Sequence, residues 1–264
     1  MVNRSVSQPV PSIEALGSRL RLRGYQQVIT IPKAFVPIVT FYDPSSGTHC
    51  DISINQPLGV HNSRLIKTYS DIDDRFKTLA VAVRQLAKNK GILDGKQGFL
   101  SSYALVLMVI TFLQDVTEPP ILPALQPKAV SDTGQTRKIV DGHDCTFDDN
   151  VANYLNFGKD NKKSTGELLV DFCRYFGHQF LYSEQEVNPR MGKIRARPAI
   201  DRHFTRAGLF RQPGEHFVCI MDPFIVSRNV ARNCRGLKAG IVQATFKEAH
   251  TALQAGNILS VLGQ

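Results

Sequence analysis

The chain has 264 residues, 42% of them hydrophobic, which is enough to bury the core of one large domain or two smaller ones. Lys and Arg outnumber Asp and Glu by 32 to 23, and the formal charge of +9 favours a polyanionic partner such as nucleic acid. The five cysteines form no Cys-x-x-Cys pair, which argues against a disulfide framework or a zinc ribbon and predicts reduced thiols in an intracellular protein, cytoplasmic or nuclear.

No segment has the features of a signal peptide or a membrane span. The first eight residues lack the apolar core of a signal peptide. The most apolar run, residues 100–113, contains Ser101, Ser102 and Tyr103 and is shorter than the roughly 20 residues needed to cross a bilayer. The run predicts a buried helix, and no membrane partner is expected.

The first part of the chain is predicted to form a small sheet with one helix. Residues 1–11 are expected to be a disordered tail. Ser12 suits the N-cap of a helix that ends at Gly24. Three short strands are predicted after it, at residues 28–31, 36–41 and 50–55, with a turn at 43–47 between the last two.

The third of these strands carries one carboxylate within an apolar alternation. Since side chains alternate between the two faces of a strand, Ile52 and Ile54 share one face and Asp51 lies on the other. A carboxylate on a rigid strand suits Mg²⁺, which prefers carboxylate and phosphate oxygens. A solvated aspartate on a surface strand is the alternative that this segment alone leaves open.

Longer helical periods follow, and two of these helices carry groups suited to a nucleotide. Arg84 and Lys88 are four residues apart and therefore share a helix face, which favours a bound anion or is an ordinary solvated basic face. Ser101 or Ser102 begins the next helix, where backbone N–H groups attract phosphate, and the Tyr103 ring could stack on a base. Capping and core packing are the structural alternatives.

The last third is predicted to combine a polar loop at 126–150, a helix capped by Ser164, a basic segment and a final helix at 238–253. A buried strand from Cys219 should break at Asp222, and a further helix should start near residue 227. The basic segment could track an RNA backbone or be a solvated loop. Its candidate RNA-binding residues are Arg190, Lys193, Arg195, Arg197, Arg202 and Arg206.

Six pieces of sequence, in their order and spacing, resemble the non-canonical poly(A) and poly(U) polymerases, which are RNA terminal nucleotidyltransferases of the polymerase-beta-like superfamily. The pieces are Val36-Pro37-Ile38-Val39 before Cys50-Asp51-Ile52, Leu58-Gly59-Val60-His61-Asn62-Ser63, Gly98-Phe99-Leu100-Ser101-Ser102-Tyr103, Pro119-Pro120-Ile121-Leu122-Pro123, Gly166-Glu167-Leu168-Leu169, and Asp222-Pro223-Phe224 with Asn229-Val230-Ala231-Arg232. The resemblance covers residues 12 to about 255.

The resemblance implies an α+β fold in which a partial nucleotidyltransferase palm sheet precedes a mainly helical PAP-associated domain. The palm would occupy residues 12–60 and the helical domain residues 61–255, with a short tail at 256–264. The activity implied is template-independent addition of AMP, or UMP, from an NTP to an RNA 3′ end, with Mg²⁺ or Mn²⁺ as cofactor.

The same resemblance assigns the site residues. Asp51 is similar to the third catalytic aspartate of the family and would bind the metal. The nucleotide site would be formed by Asn55, Asn62 and Ser63 at the sugar and triphosphate, Arg84 and Lys88 with Ser102 at the phosphates, Tyr103 against the base, and Asp222 with Arg228 at the base edge.

One feature of the family is not found in this sequence. The family has a Gly-Ser turn and an Asp-x-Asp strand upstream of the first helix, and neither is present here. Gly17-Ser18 lies within a helix, and Asp71-Ile72-Asp73 follows Asp51, so neither replaces them. We therefore expect this polypeptide by itself to be nearly inactive; the alternative is a non-catalytic protein that binds RNA or nucleotides.

The nucleotide choice is expected to depend on Arg228. Uridylyl-adding members of the family commonly have a histidine at this position, where it favours uracil and crowds out adenine. Arginine offers only donors and stays charged, and it could turn to solvent and leave room for adenine. ATP is therefore expected over UTP.

Overall fold

The computed structural model describes residues 9–34, 36–127, 137–197 and 217–263. By the density of its internal contacts the chain divides into two compact units, residues 1–63 and 64–264. Helices and small sheets are both present in the described residues, as the α+β prediction requires. The division falls inside a helix rather than at the predicted boundary after residue 60.

Unit 1 is a three-stranded antiparallel sheet packed against one helix, in the order β1-β2-β3. Its elements are α1 (Pro9–Leu22), β1 (Gln26–Ile31), β2 (Ile38–Asp43) and β3 (Thr48–Ser53). The core is formed by Ile13 and Leu20 of the helix and by Val39 and Phe41 of β2, all buried. One apolar face of the helix therefore covers one face of the sheet.

The register of β2 and β3 places Asp51 as predicted. Asp51 lies opposite Thr40, and Ile52 lies opposite Val39. Ile52 packs against the core while Asp51 is exposed. The predicted alternation of β3 is thus confirmed, and the sheet holds the Asp51 carboxylate on its solvent face.

The start of α1 differs from the prediction. The helix begins at Pro9, three residues before the predicted N-cap Ser12, so the expected tail at 1–11 is helical from residue 9. Proline has no N–H to leave unpaired in a first helical turn, which explains why the helix tolerates it there. The predicted end is confirmed, because Gly24 follows the helix with φ +83°.

Unit 2 is mainly helical and contains two short antiparallel hairpins. Its elements are α2 (Pro57–Ile72, which crosses the division), α3 (Asp74–Asn89), α4 (Ser102–Thr111), β4 (Ile139–Val140), β5 (His143–Asp144), α5 (Thr165–Arg174), β6 (Gln185–Asn188), β7 (Lys193–Ala196), α6 (Leu237–Gln254) and α7 (Leu259–Leu262). Both α4 and α5 continue into π-helical turns, Phe112–Val116 and Tyr175–Gln179.

The core of unit 2 is aromatic and is centred on α5. The ring of Phe172 lies 5.4 Å from that of Phe112 and 5.5 Å from that of Phe246, measured between centroids, in edge-to-face geometry. The apolar face of α3, formed by Phe76, Leu79, Val83, Leu86 and Ala87, is buried, and so is nearly all of α4. No helix in the described ranges has both the length and the hydropathy to cross a membrane.

Asp71 and Asp73, the acidic pair that follows Asp51 in the sequence, have structural roles. Asp73 caps α3 and accepts hydrogen bonds from the Arg75 side chain at 2.9 and 2.7 Å. That guanidinium also donates to the carbonyls of Gly158 and Asn161, at 2.8 and 2.7 Å. Asp71 pairs with Lys67 on the surface. These contacts agree with the rejection of this pair as a catalytic motif.

Two segments were predicted incorrectly. Part of the expected polar loop at 126–150 is the β4–β5 hairpin. The helix expected to start near residue 227 is absent from the described chain, where turns run from residue 226 to 233 and Asn229 bridges to Met221. The physical reason is that the Asn229 side chain binds the backbone of neighbouring residues, which competes with helix formation.

His250, at the interior face of α6, should make the stability of unit 2 depend on pH. Burial lowers its pKa from the usual 6.5, with smaller lowering contributions from His178 and Arg174 and an opposing one from Asp171. Below about pH 6.5 the unfolded chain binds a proton at this site that the folded chain does not, so stability should fall as the pH falls.

Urea unfolding at pH 7.5 and 5.5 should therefore show a lower stability at pH 5.5. The His250→Gln variant should lose much of that difference, because it removes the titrating group. An equal pH dependence in wild type and variant would contradict this role of His250.

Candidate functional site

The N-terminus of α4 and one face of α3 form a basic corner in unit 2. The Arg84 side chain donates from Nε to Ser102 Oγ at 3.2 Å. Lys88 lies one turn further along α3 and is exposed, as is Arg84. Two cations beside a helix N-terminus favour an anion, because the helix dipole and the free N–H groups add to their charge.

The two serines of this corner have different roles. Ser101 is the N-cap, and its hydroxyl accepts the Ala104 N–H at 3.1 Å. Ser102 is the first helical residue, is exposed and contacts Arg84. Capping therefore accounts for Ser101 and leaves Ser102 at the corner.

Lys238 contacts the segment before α4, which sequence reasoning missed. Its ammonium binds the Gln97 carbonyl and lies 5.5 Å from the centre of the Phe99 ring. Both contacts tie α6 to the segment immediately before α4. No signal in the sequence joined these positions, because they are far apart along the chain.

Tyr103 lies close to the two charged residues predicted at the base edge. Burial raises the pKa of its phenol, and the nearby Asp222 charge raises that pKa further while Arg228 lowers it. The phenol therefore stays protonated at physiological pH. Tyr103 thus lies within electrostatic range of Asp222 and Arg228, which come from a distant part of the sequence.

The loop that carries Asp222 and Arg228 is closed by its own hydrogen bonds. Asp222 Oδ1 accepts the N–H groups of Phe224 and Ile225 at 2.9 and 3.0 Å. The Asp222 N–H donates to the Arg228 carbonyl at 2.9 Å, and the Arg228 guanidinium reaches to 3.6 Å from Asp222 Oδ2. The Asp222 carboxylate is buried, so its position is fixed by these contacts.

The Asn229 side chain stabilises this loop through hydrogen bonds to the backbone. Its Oδ1 accepts the N–H groups of Ile220 and Ala231 at 3.0 and 2.9 Å, and its Nδ2 donates to the Val218 carbonyl at 3.0 Å. The amide is buried, and both its oxygen and its nitrogen are hydrogen-bonded. Asn229 therefore holds the strand-like segment before Asp222 against the turn after Arg228.

The remaining candidates of the nucleotide site lie in unit 1. Asn55 follows β3 with a φ of +53°, a left-handed conformation that asparagine tolerates better than most residues. Asn62 is half-buried and Ser63 is exposed on α2, where the Ser63 hydroxyl donates to the Gly59 carbonyl at 3.0 Å. Among the described residues, no three His, Cys, Asp or Glu side chains converge on a common point, so Asp51 is a single metal-ligand candidate.

The six basic residues predicted to bind RNA have different roles. Arg202 and Arg206 lie outside the described residues. Arg190 pairs with Asp144 at 3.1 Å and donates to the Pro223 carbonyl at 2.9 Å. Its guanidinium thus joins the β4–β5 hairpin to the loop after Asp222, an internal role that charge density alone did not show.

Arg197 is also engaged within the fold. It donates to the carbonyls of Gln185, Tyr182 and Phe217 at 2.5 to 2.7 Å and stacks on the Phe217 ring at 3.8 Å. Arg195 is half-exposed and pairs with buried Glu186 at 3.1 Å, and Lys193 is exposed. Of the four described basic residues, Lys193 and Arg195 retain the exposure that an RNA contact needs.

Comparisons with known proteins match two parts of the chain to family models. Residues 3–71 match the model described as poly(A) RNA polymerase, mitochondrial-like, central palm domain. Residues 164–228 match the model described as Cid1 family poly A polymerase. The first match covers β3, which carries Asp51. The second covers α5, the β6–β7 hairpin and the loop that carries Asp222.

Curated relatives match over most of the chain. It is 31% identical to poly(A) RNA polymerase cid13 of Schizosaccharomyces pombe over 93% of its length, which is 41% of that protein. It is 32% identical to poly(A) RNA polymerase GLD2-B of Xenopus laevis over 84% of its length, 40% of that protein, and 32% identical to human GLD2 over 83%, 46% of that protein. The chain thus spans less than half the length of these relatives.

Solved structures share the fold. A crystal structure of mtPAP in complex with ATPγS superposes with a TM-score of 0.79 at 25% identity, covering 96% of this chain and 51% of that one. The Cid1 poly(U) polymerase with Mg and 3′-dATP bound superposes with a TM-score of 0.78 at 28% identity, covering 96% of this chain and 74% of that one.

Proposed function

The chain belongs to the non-canonical poly(A) and poly(U) polymerase family, and we propose that its protein transfers a nucleotide from an NTP to an RNA 3′ end. The observation that carries the proposal is that Tyr103 follows the Ser102 that contacts Arg84 and lies within electrostatic range of the Asp222–Arg228 pair. Binding a nucleoside triphosphate requires an aromatic ring for the base, an acceptor for the base edge and basic groups for the phosphates. The relatives' names, poly(A) RNA polymerase, support this proposal.

Within unit 2, each group has a defined role in this proposal. The Tyr103 ring stacks on the base, since base–aromatic stacking is worth about 1–3 kcal/mol and tolerates any base. Arg84 and Lys88 bind the triphosphate with Ser102 at the helix N-terminus. Asp222 accepts from the base edge, because its buried carboxylate can offer only acceptors when ionised.

In unit 1, we assign Asn55, Asn62 and Ser63 to the sugar and triphosphate and Asp51 to the metal. Asp51 fits Mg²⁺ or Mn²⁺, because it is exposed on a rigid strand and makes no ion pair with a described residue. Mg²⁺ is commonly held by one or two carboxylates together with substrate phosphates. When bound, the metal would supply charge stabilisation at the α-phosphate and a more acidic 3′-hydroxyl.

The nucleotide is proposed to be ATP rather than UTP. The Arg228 guanidinium lies toward Asp222 at 3.6 Å, with 37% of its side chain exposed, so it has both a resting partner and space to move. It is a donor only and cannot accept the N3–H of uracil. The poly(A) naming of the relatives is consistent with this choice.

Extension of a 5′-labelled RNA with each nucleotide alone, by the enzyme with the Gly-Ser and Asp-x-Asp segment restored, tests both the activity and this choice. We expect ATP to be preferred in wild type and Arg228→His to shift the preference toward UTP by about tenfold or more, a difference of about 1–2 kcal/mol that one hydrogen bond supplies. The Arg232→His variant, at an exposed position in the same segment, is the matched control. A UTP preference that survives Arg228→Ala would show that Arg228 is not the selector.

A further inference from the structure

The α3–α4 loop, residues 90–101, is held together by hydrogen bonds of its own. Asp94 Oδ1 accepts the N–H groups of Lys96 and Gln97 at 2.9 and 3.0 Å. The Phe99 N–H donates to the Asp94 carbonyl at 2.9 Å. Because these contacts lie within one short segment, the loop should shift as a unit when it moves.

This loop determines where α4 begins. It ends at Ser101, the N-cap, and the next residue is Ser102, whose hydroxyl accepts the Arg84 Nε–H at 3.2 Å. Arg84 and Lys88 belong to α3, which the loop joins to α4. The placement of the α4 N-terminal N–H groups beside these two cations therefore depends on the loop.

Lys238, in the first turn of α6, contacts the loop in two ways. Its ammonium donates to the Gln97 carbonyl and lies 5.5 Å from the centre of the Phe99 ring. The hydrogen bond is charge-assisted, and the separation from the ring falls within the roughly 6 Å over which a cation–π attraction acts. Lys238 thus restrains the loop from a helix that is distant in sequence.

Gly98 allows the loop to approach α6 closely. Its φ is +81°, in the left-handed region that favours glycine. A Cβ at this position would lie 3.1 Å from both the Asn233 carbonyl oxygen and the Lys238 ammonium. A side chain here would therefore push the loop away from Lys238.

We propose that Lys238 is a positioning residue for triphosphate binding, because its contact with the α3–α4 loop holds the α4 N-terminus beside Arg84 and Lys88. The proposal rests on the proposed function, which assigns this corner to the phosphates. Lys238 acts through the loop and not on the nucleotide itself.

This role predicts a selective effect, since the base and the phosphates are assigned to different groups. The base is assigned to Tyr103 and to the Asp222–Arg228 pair, none of which belongs to the α3–α4 loop. Adenosine carries the base without phosphates, whereas ATP carries both. Loosening the loop should therefore weaken ATP binding more than adenosine binding.

Titrations of the full chain with ATP and with adenosine, each followed by NMR, test this role. Lys238→Met keeps an unbranched side chain without the charge and should weaken ATP binding about three- to tenfold, with adenosine binding within about twofold of wild type. Lys238→Arg keeps a cationic donor and should restore most of the ATP affinity. Lys247→Met, at an exposed lysine of the same helix, should leave both affinities unchanged.

Gly98→Ala disturbs the same contact from the loop side and should cause the same selective loss. Gly95→Ala is its matched control, because a Cβ there would lie 3.7 Å from the Ser101 Cβ, an ordinary van der Waals distance. Hydrogen exchange without ligand gives an independent readout. Lys238→Met and Gly98→Ala should raise exchange at residues 95–102 more than at residues 222–232.

The two proposals can fail separately. Unchanged ATP affinity in Lys238→Met, equal losses of ATP and adenosine affinity, or unchanged exchange at residues 95–102 would overturn the positioning role and leave the nucleotide site in place. A wild-type chain that bound ATP no more tightly than adenosine would overturn the phosphate assignment of the proposed function, and the role of Lys238 with it.

Discussion

Replacing Asp51 by alanine is expected to lower nucleotide transfer to an RNA 3′ end by about 10³-fold or more. The reason is the loss of a metal-ligand carboxylate, because a bound metal supplies several kcal/mol of charge stabilisation and each 1.4 kcal/mol is tenfold in rate. Asp51 is exposed on β3, so its removal should leave the fold intact. The measurement is single-turnover extension of a labelled RNA with ATP and Mg²⁺ in an active preparation of the protein.

Asp71→Ala is the matched control for this variant. Asp71 is an exposed aspartate whose ion pair among the described residues is with Lys67 four residues earlier, a contact worth about 0.3–0.5 kcal/mol. Its removal should change the transfer rate less than twofold. If Asp51→Ala were as active as Asp71→Ala, the assignment of the metal ligand would be wrong.

Replacing Asn229 by alanine is expected to destabilise unit 2 by about 3–5 kcal/mol. The change leaves two buried N–H groups and one carbonyl without partners, and each unmet group costs about 1–3 kcal/mol. For a unit of this size the melting temperature should fall by about 6–20 °C. Thermal unfolding followed by circular dichroism measures the shift.

Asn233→Ala makes the same chemical change at an exposed position four residues later. It should alter stability by no more than about 0.5 kcal/mol. Similar melting temperatures for the two variants would show that the Asn229 amide does not hold the Asp222 loop.

The fold was predicted best where the pattern is local. The apolar period of α3, the alternation of β3 and the Asp43 turn depend on neighbours in sequence, and the structure has all three. The start of α1 was missed because proline at the first turn looks like a helix breaker. The helix predicted near residue 227 failed because the Asn229 side chain takes the backbone hydrogen bonds that a helix would use.

The site was predicted through motifs rather than through geometry. No periodicity links Tyr103 to Asp222, because more than a hundred residues separate them and their electrostatic interaction exists only in the folded chain. The density of positive charge suggested that these basic residues bind RNA together. Arg190 and Arg197 instead bind groups within the fold that are not their neighbours in sequence, at Asp144, Tyr182 and Phe217.

Titration with ATP of the wild-type chain and its Tyr103 variants tests the central claim most directly. Because stacking on Tyr103 is worth about 1–3 kcal/mol, Tyr103→Ala should weaken ATP binding about 5- to 150-fold. Tyr103→Phe keeps the ring and should bind within about threefold of wild type, since the protonated phenol adds at most one hydrogen bond. If calorimetry instead gave the same dissociation constant for Tyr103→Ala as for wild type, the nucleotide would not lie between Tyr103 and the Asp222–Arg228 loop, and the proposed site would be wrong.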